Sequence, residues 1–413
     1  MEKLTGALLF GQSGGPTSVI NASALGVFEE AFKHDGVITG VYGAAHGIKG
    51  ILFDELYDIC QEDRGELALL RNTPSSVLGS VRYKLKPAEE DDSDYRRILE
   101  VFAKYNIRYF FYNGGNDSMD TCYKIGKYLA DHNYECRIVG VPKTIDNDLF
   151  GTDHCPGYGS AAKYIATTCM EIARDCKVYD QGSITIIEIM GRNAGWLTAA
   201  SVVASHKGWG PDLIYVPELP FDVEGFVDEV KDVYLEKGDC IVAVSEGIRD
   251  REGKYISEYH KNISRDCFNH IQLGGVGHYL STLVKQSFNA KVRAIEFSLM
   301  QRCAAHLASL TDVEEAYLCG AEAVRAALNG KTGIMTALER QPGKEYKIKI
   351  KGMPLEMVAN TEKKLPEIYL CSDRHFITDK FLDYVLPLIK GEARPPFEDG
   401  VPRFATLKRV RTR

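Results

Sequence analysis

Short apolar runs of β character alternate along this chain with longer stretches whose apolar residues recur at helical spacing. The runs predict strands at 7–10 (ALLF), 37–42, 107–112, 137–142 (RIVGVP), 184–190 (ITIIEIM), 213–217, 240–245 (CIVAVS) and 292–297 (VRAIEF). Helical spacing marks 17–32, 94–105, 160–176, 223–236 and 276–288. Near-continuous apolar strands with helices between them predict an α/β fold of mainly parallel sheets, covered by helices on both faces. In such folds ligands bind beyond the carboxyl ends of the strands. The segments that follow the strands here are GQSGGP, NGGNDS, KTIDND, GRNAGW and EGIRD.

The richest of these lies in RYFFYNGGNDSMDT, residues 108–121. The apolar run stops at Gly114-Gly115, and Asn116, Asp117 and Ser118 open a helix-like segment. Adjacent glycines let backbone approach a ligand, and a helix start offers free N–H groups to a phosphate. Asp117 is out of place in a nucleotide cradle, because its carboxylate repels the phosphates. Together with PKTIDND at 142–148 it points to phosphoryl transfer from a donor other than ATP. Gly14 and Gly15 suit a second backbone cradle. Asp146 and Asp148 stand two apart in a loop, so both carboxylates can face one site. Each feature has a plainer structural alternative, a β–α turn for the glycines and an Asx-turn for the aspartates.

Composition narrows the classes. The 413 residues suffice for two or three domains, and 45% hydrophobic with 26% charged residues is ordinary for a folded globular chain. A formal charge of −7 gives no reason to expect nucleic acid or an anionic membrane as partner. An anionic substrate needs a local basic pocket. Eleven cysteines without a C-x-x-C pair suit reduced thiols rather than a disulfide framework or zinc site. The N-terminus lacks a signal-peptide pattern and no apolar run reaches about 18 residues, so a cytoplasmic location is expected. Residues 391–413, rich in Pro and Arg, read as an irregular tail packed on the body.

With GQSGGPTSVINA (11–22), SVLGSVR (76–82), GGNDSMDT (114–121), PKTIDND (142–148), MGRNAGW (190–196), SEG (245–247), LMQR (299–302) and PLEMVAN (354–360), the chain resembles the phosphofructokinase family, more closely its pyrophosphate-dependent branch. The resemblance implies two Rossmann-like lobes: 1–156 plus about 301–355 for the phosphoryl donor, and 157–300 plus about 356–413 for the sugar phosphate. It also implies phosphoryl transfer to the 1-hydroxyl of fructose 6-phosphate, in glycolysis and gluconeogenesis, with Mg²⁺. By resemblance Asp146 is the general base, Arg82 bridges transferred and leaving phosphates, and Gly14, Gly15, Asp117 and Lys143 hold the donor. Thr144, Ile145, Met190, Gly191, Arg192 and Glu246 contact the substrate, and Arg293 and Arg302 grip the 6-phosphate. Asn116 and Asp148 stand in the metal region. A homo-oligomer, dimer or tetramer, is expected.

The sequence departs from the family pattern in places. Leu299 occupies the substrate position that carries histidine in half the family, and Ser183 replaces an arginine that reaches from a neighbouring subunit. Asn116 stands where most relatives have aspartate. His270, in HIQLGG, reads as structural. ATP-using relatives have glycine at the place of Asp117 and commonly at that of Lys143, so these two residues separate pyrophosphate from the alternative donor, ATP. An NAD kinase shares the GGDGT-like loop but lacks TIDND with MGR. A sugar-binding regulator on the same fold predicts no need for Asp146.

Overall fold

A computed structural model describes residues 4–178, 180–259, 275–371 and 376–412, and the backbone of 264–265 and 271–272. His270 lies outside the described residues. Within them, the chain forms two principal sheets. The first has strands β1 (Gly6–Gln12), β2 (Ile38–Ala44), β3 (Leu56–Asp58), β4 (Ile107–Gly114) and β5 (Arg137–Pro142). The second has β6 (Ser183–Ile189), β7 (Leu213–Tyr215) and β8 (Cys240–Ser245). After a short pair, β9 (Ser264–Arg265) and β10 (Ile271–Gln272), β11 (Lys291–Glu296) joins the second sheet. The chain then returns to the first sheet with β12 (Ile334–Arg340) and β13 (Ile348–Pro354).

The first sheet runs β13-β12-β5-β4-β1-β2-β3, parallel except at its two edges, where β13 and β3 are antiparallel. The second runs β11-β6-β8-β7 and is parallel throughout. Every residue of β1, β6 and β8 is buried, as their unbroken apolar runs require of strands covered on both faces. Each sheet has a separate apolar cluster on each face, which bears out the α/β reading. The ten cysteines among the described residues are free thiols.

Helix Tyr158–Cys176 leads into the second sheet, and helix Leu310–Leu328 packs on the first beside helix Ile20–Phe32. Asp312 ties the two regions together: its carboxylate accepts from the N–H groups of Gly157 (2.9 Å) and Ser160 (2.8 Å), capping the 158–176 helix from a neighbouring element.

The expected 17–32 helix begins only at Ile20, because Thr17 turns back on itself, its hydroxyl accepting from the N–H of Val19 (3.2 Å). Strands β3, β12 and β13 escape the apolar-run criterion; β13 is half solvated at an edge, and its lysines break the run. The end of the chain also differs from the expected grouping of 356–413 with the sugar-phosphate lobe. Residues 405–412 lie on the first sheet, where Asp58 N–H donates to Val410 O (2.8 Å), Thr412 N–H to Leu56 O (2.9 Å), and the amides of Lys408 and Arg409 to Glu62 (2.7 Å each). Buried Glu62 offers two oxygens that this backbone satisfies.

Candidate active site

A cleft of about 730 Å³ opens where the carboxyl ends of the two sheets meet. Its walls come from the segments after β1 (Ser13 to Pro16), β4 (Gly115 to Ser118), β5 (Lys143 to Asp146, and Asp148), β6 (Met190, and Arg192 to Ala194) and β8 (Glu246), joined by Arg82, Tyr83, Tyr255, Arg302, Asn360 and Glu362. These are the loops expected from strand order alone.

At one end lie the two glycine loops. Gly14 has a left-handed φ of 74°, and a Cβ there would stand 3.2 Å from Lys143 Nζ. Lys143 is buried and donates to Gly15 O at 2.6 Å. Helix Asn116–Asp131 starts at Gly115 without a side-chain cap, so Asp117 in its first turn is not the N-cap, and the first N–H groups remain available to a ligand. The Asn116 side-chain amide end lies against Val358 O (3.2 Å) and Thr361 O (3.1 Å), two acceptors that assign its nitrogen to that side. Arg82 lines the same region.

The centre holds the TIDND loop. Thr144 Oγ1 accepts from Asp146 N–H at 3.1 Å, and Asp148 O accepts from Lys363 N–H at 2.7 Å. Burial drives the carboxyl of Asp146 above the usual range, against the pull of Lys143, Arg192 and Arg302. Burial, Asp146 and Glu362 raise Asp148 to about 7. Burial lowers Lys143 to about 8, partly offset by Asp146 and Asp148. These opposed shifts give the cleft groups that hold and release protons near neutrality.

At the other end Met190, Arg192 and Glu246 line the cleft. Glu246 accepts from Gly191 N–H at 3.4 Å, and burial followed by the charge of Asp146 raises it to about 8. Gly191 thus backs the wall without lining it. Arg302 reaches inward, so that a Cβ on Gly15 would come within 2.9 Å of its Nη1.

Two expected substrate residues are not brought to the cleft. Arg293 sits on β11, an edge strand, and its guanidinium turns to Asp175 on the 158–176 helix (3.7 Å). Leu299 precedes the short helix Met300–Cys303 and its side chain is 55% exposed. Conversely, Tyr255, Asn360 and Glu362 line the cleft without having been singled out. Glu362 Oε1 accepts from Asn193 Nδ2 at 2.9 Å, and Asn193 Oδ1 accepts from Arg249 Nη2 at 2.8 Å. PLEMVAN was legible, but Glu362 follows it by two residues in an irregular stretch with no motif of its own.

The sequence model of phosphofructokinase matches residues 7–327. The chain belongs to the phosphofructokinase family. Among curated relatives, it is 44% identical to a pyrophosphate–fructose 6-phosphate 1-phosphotransferase of Xanthomonas campestris pv. campestris, over 98% of this chain and 97% of the relative. It is 42% identical to the enzyme of that name from Halomonas elongata, over 97% and 96%. The solved pyrophosphate-dependent phosphofructokinase of Marinobacter aquaeolei superposes with a TM-score of 0.89 at 40% identity, covering 98% of this chain and 97% of that one. Both glycine loops and the TIDND loop of this chain contribute to the lining of the cleft.

Proposed function

We propose that the protein transfers a phosphoryl group from pyrophosphate to the 1-hydroxyl of fructose 6-phosphate, reversibly, giving fructose 1,6-bisphosphate and phosphate. The observation that carries this reading is the convergence of Asp117 and buried Lys143 on the donor end of a cleft whose centre is Asp146. The likeness to relatives named for this activity supports it.

Asp146 takes the proton of the sugar's 1-hydroxyl, and that oxygen attacks the near phosphorus of pyrophosphate as the bridging P–O bond breaks. Such a base contributes about 10²–10⁴-fold. Lys143, Arg82 and the Gly14–Gly15 backbone neutralise charge on the departing phosphate. Ile145 and Thr144 hold the loop, Met190, Arg192 and Glu246 orient the sugar, and Arg302 spans both substrates. Replacing the nucleotide by pyrophosphate leaves no α-phosphate to clash with Asp117. At about 4 Å and an effective dielectric of about 20, that clash is on the order of 4 kcal/mol.

Mg²⁺ suits this donor set. Among the described residues no three carboxylate, thiol or imidazole groups converge as a ready-made cage. Mg²⁺ is commonly held by one or two carboxylates with waters and phosphate oxygens, so Asp148, aided by the Asn116 amide, fits it. Bound there with pyrophosphate, it would supply charge neutralisation on the phosphates. The same proposal places the enzyme in the cytoplasm, in glycolysis and gluconeogenesis, as a homo-oligomer. No helix among the described residues is long and apolar enough to cross a membrane. The test offers purified protein fructose 6-phosphate with Mg²⁺ and either pyrophosphate or ATP. Fructose 1,6-bisphosphate from pyrophosphate is expected; product formation only from ATP would overturn the reading.

A further inference from the structure

Between the two aspartates of the TIDND loop lies Asn147, fully buried and with a left-handed φ of 57°. Asn tolerates this region better than most residues, yet the conformation still has to be held by its surroundings. Both ends of its amide are engaged away from the cleft. Oδ1 accepts from Cys155 N–H at 2.9 Å, and Nδ2 donates to the hydroxyl of Tyr384 at 2.7 Å. Tyr384 in turn donates to Asp153 O at 3.0 Å. Neither Asn147 nor Tyr384 lines the cleft, whereas Asp146 and Asp148 do.

Tyr384 comes from helix Lys380–Val385, more than two hundred residues further along the chain. Its ring lies 5.1 Å from that of Trp196, the residue that opens the helix after the Arg192 loop. The Arg340 guanidinium, from β12, lies over the Tyr384 ring, 4.9 Å from its centre, and donates to Tyr384 O at 3.0 Å. One hydroxyl therefore joins the catalytic loop to a support built from both sheets' elements.

On the reading given under Proposed function, we infer that Asn147 and Tyr384 are a buried positioning pair that fixes the angle between the Asp146 and Asp148 carboxylates. Their own chemistry is unused; their bonds hold the backbone on either side of a left-handed residue. Misplacing a reacting group by about 1 Å can cost about 10²-fold in rate.

Asn147→Gly keeps the left-handed backbone accessible and removes the tether. Tyr384→Phe removes only the hydroxyl. Each is expected to lower kcat by about 10- to 100-fold, with KM for both substrates within about threefold. The double variant should be no worse than the poorer single one, since both cut the same link. Amide exchange at 145–149, read without substrate, should quicken in both. Variants that only melt earlier, with kcat and exchange at 145–149 unchanged, would overturn the pair, as would strictly multiplicative losses in the double variant. Wild-type turnover measured in parallel judges the functional reading separately. If wild type makes no product from pyrophosphate, exchange at 145–149 alone decides the pair: quicker supports it and unchanged overturns it.

Discussion

The two ends of the cleft are built differently. At the end proposed for the donor, all the residues expected from sequence, Gly14, Gly15, Asp117, Lys143 and Arg82, line the cleft. At the sugar end, Met190, Arg192, Glu246 and Arg302 line the cleft while Arg293 and Leu299 do not. The donor residues belong to loops at the carboxyl ends of central strands, or pack against them, and parallel-sheet geometry delivers such loops to one place. Arg293 lies within an edge strand, and a strand body has no such guarantee. Motif position relative to the strand end therefore decides how far a spacing can be trusted.

The junction between the ends should show the largest effect. Asp146→Asn keeps the shape of the loop and removes the base, so kcat should fall by at least about 10²-fold with little change in KM. Near-normal steady-state turnover of the folded variant would remove Asp146 from that role and leave the two ends without a shared centre.

Two arginines sharpen the contrast at the sugar end. Arg302→Ala should raise KM for fructose 6-phosphate by about tenfold or more and also lower kcat, because its guanidinium lies against the donor loop. Arg293→Ala, which gives up only a partly exposed pair with Asp175, should change either constant by less than about threefold. Equal effects in initial-rate assays would mean that the sugar end is completed by a geometry this chain does not hold by itself.

A smaller effect concerns the support behind the junction. His154 is buried between Asp153 (2.8 Å) and Glu315 (2.6 Å). Burial alone would push its imidazole down, but Glu315 and Asp153 outweigh it and raise the group to about 9. A folded-state value above the ordinary 6.5 means stability fully present below about pH 6.5 and lost as pH rises through about 9. His154→Gln should therefore lower Tm by a few degrees at pH 6.5, with the gap to wild type closing towards pH 10. A gap that is constant with pH would show that the imidazole is neutral.

Alternation of apolar runs and helical spacing made the parallel sheets and their order of loops legible, and the glycines and aspartates after the strands marked the cleft. Less was legible where structure depends on partners distant in sequence. The edge strands β3 and β13 are short or half solvated, so period and length say little about them. Glu362 reaches the cleft because residues 358–365 are pinned from several sides, including Asn116, Asp148, Asn193 and Trp196, whose Nε1 donates to Lys363 O at 3.0 Å. The tail finds the first sheet through Glu62, whose carboxylate has no distinguishing local pattern.

Donor choice tests the account most directly. The ratio of kcat/KM for pyrophosphate to that for ATP is measured on wild type and on Asp117→Gly with Lys143→Gly, at saturating fructose 6-phosphate. Wild type should favour pyrophosphate by at least about 10²-fold, and the double variant should narrow that preference by a similar factor through regained ATP use and weakened pyrophosphate use. A wild-type ratio near one, or a ratio that the double substitution leaves unmoved, would contradict the claim that these two residues select the donor.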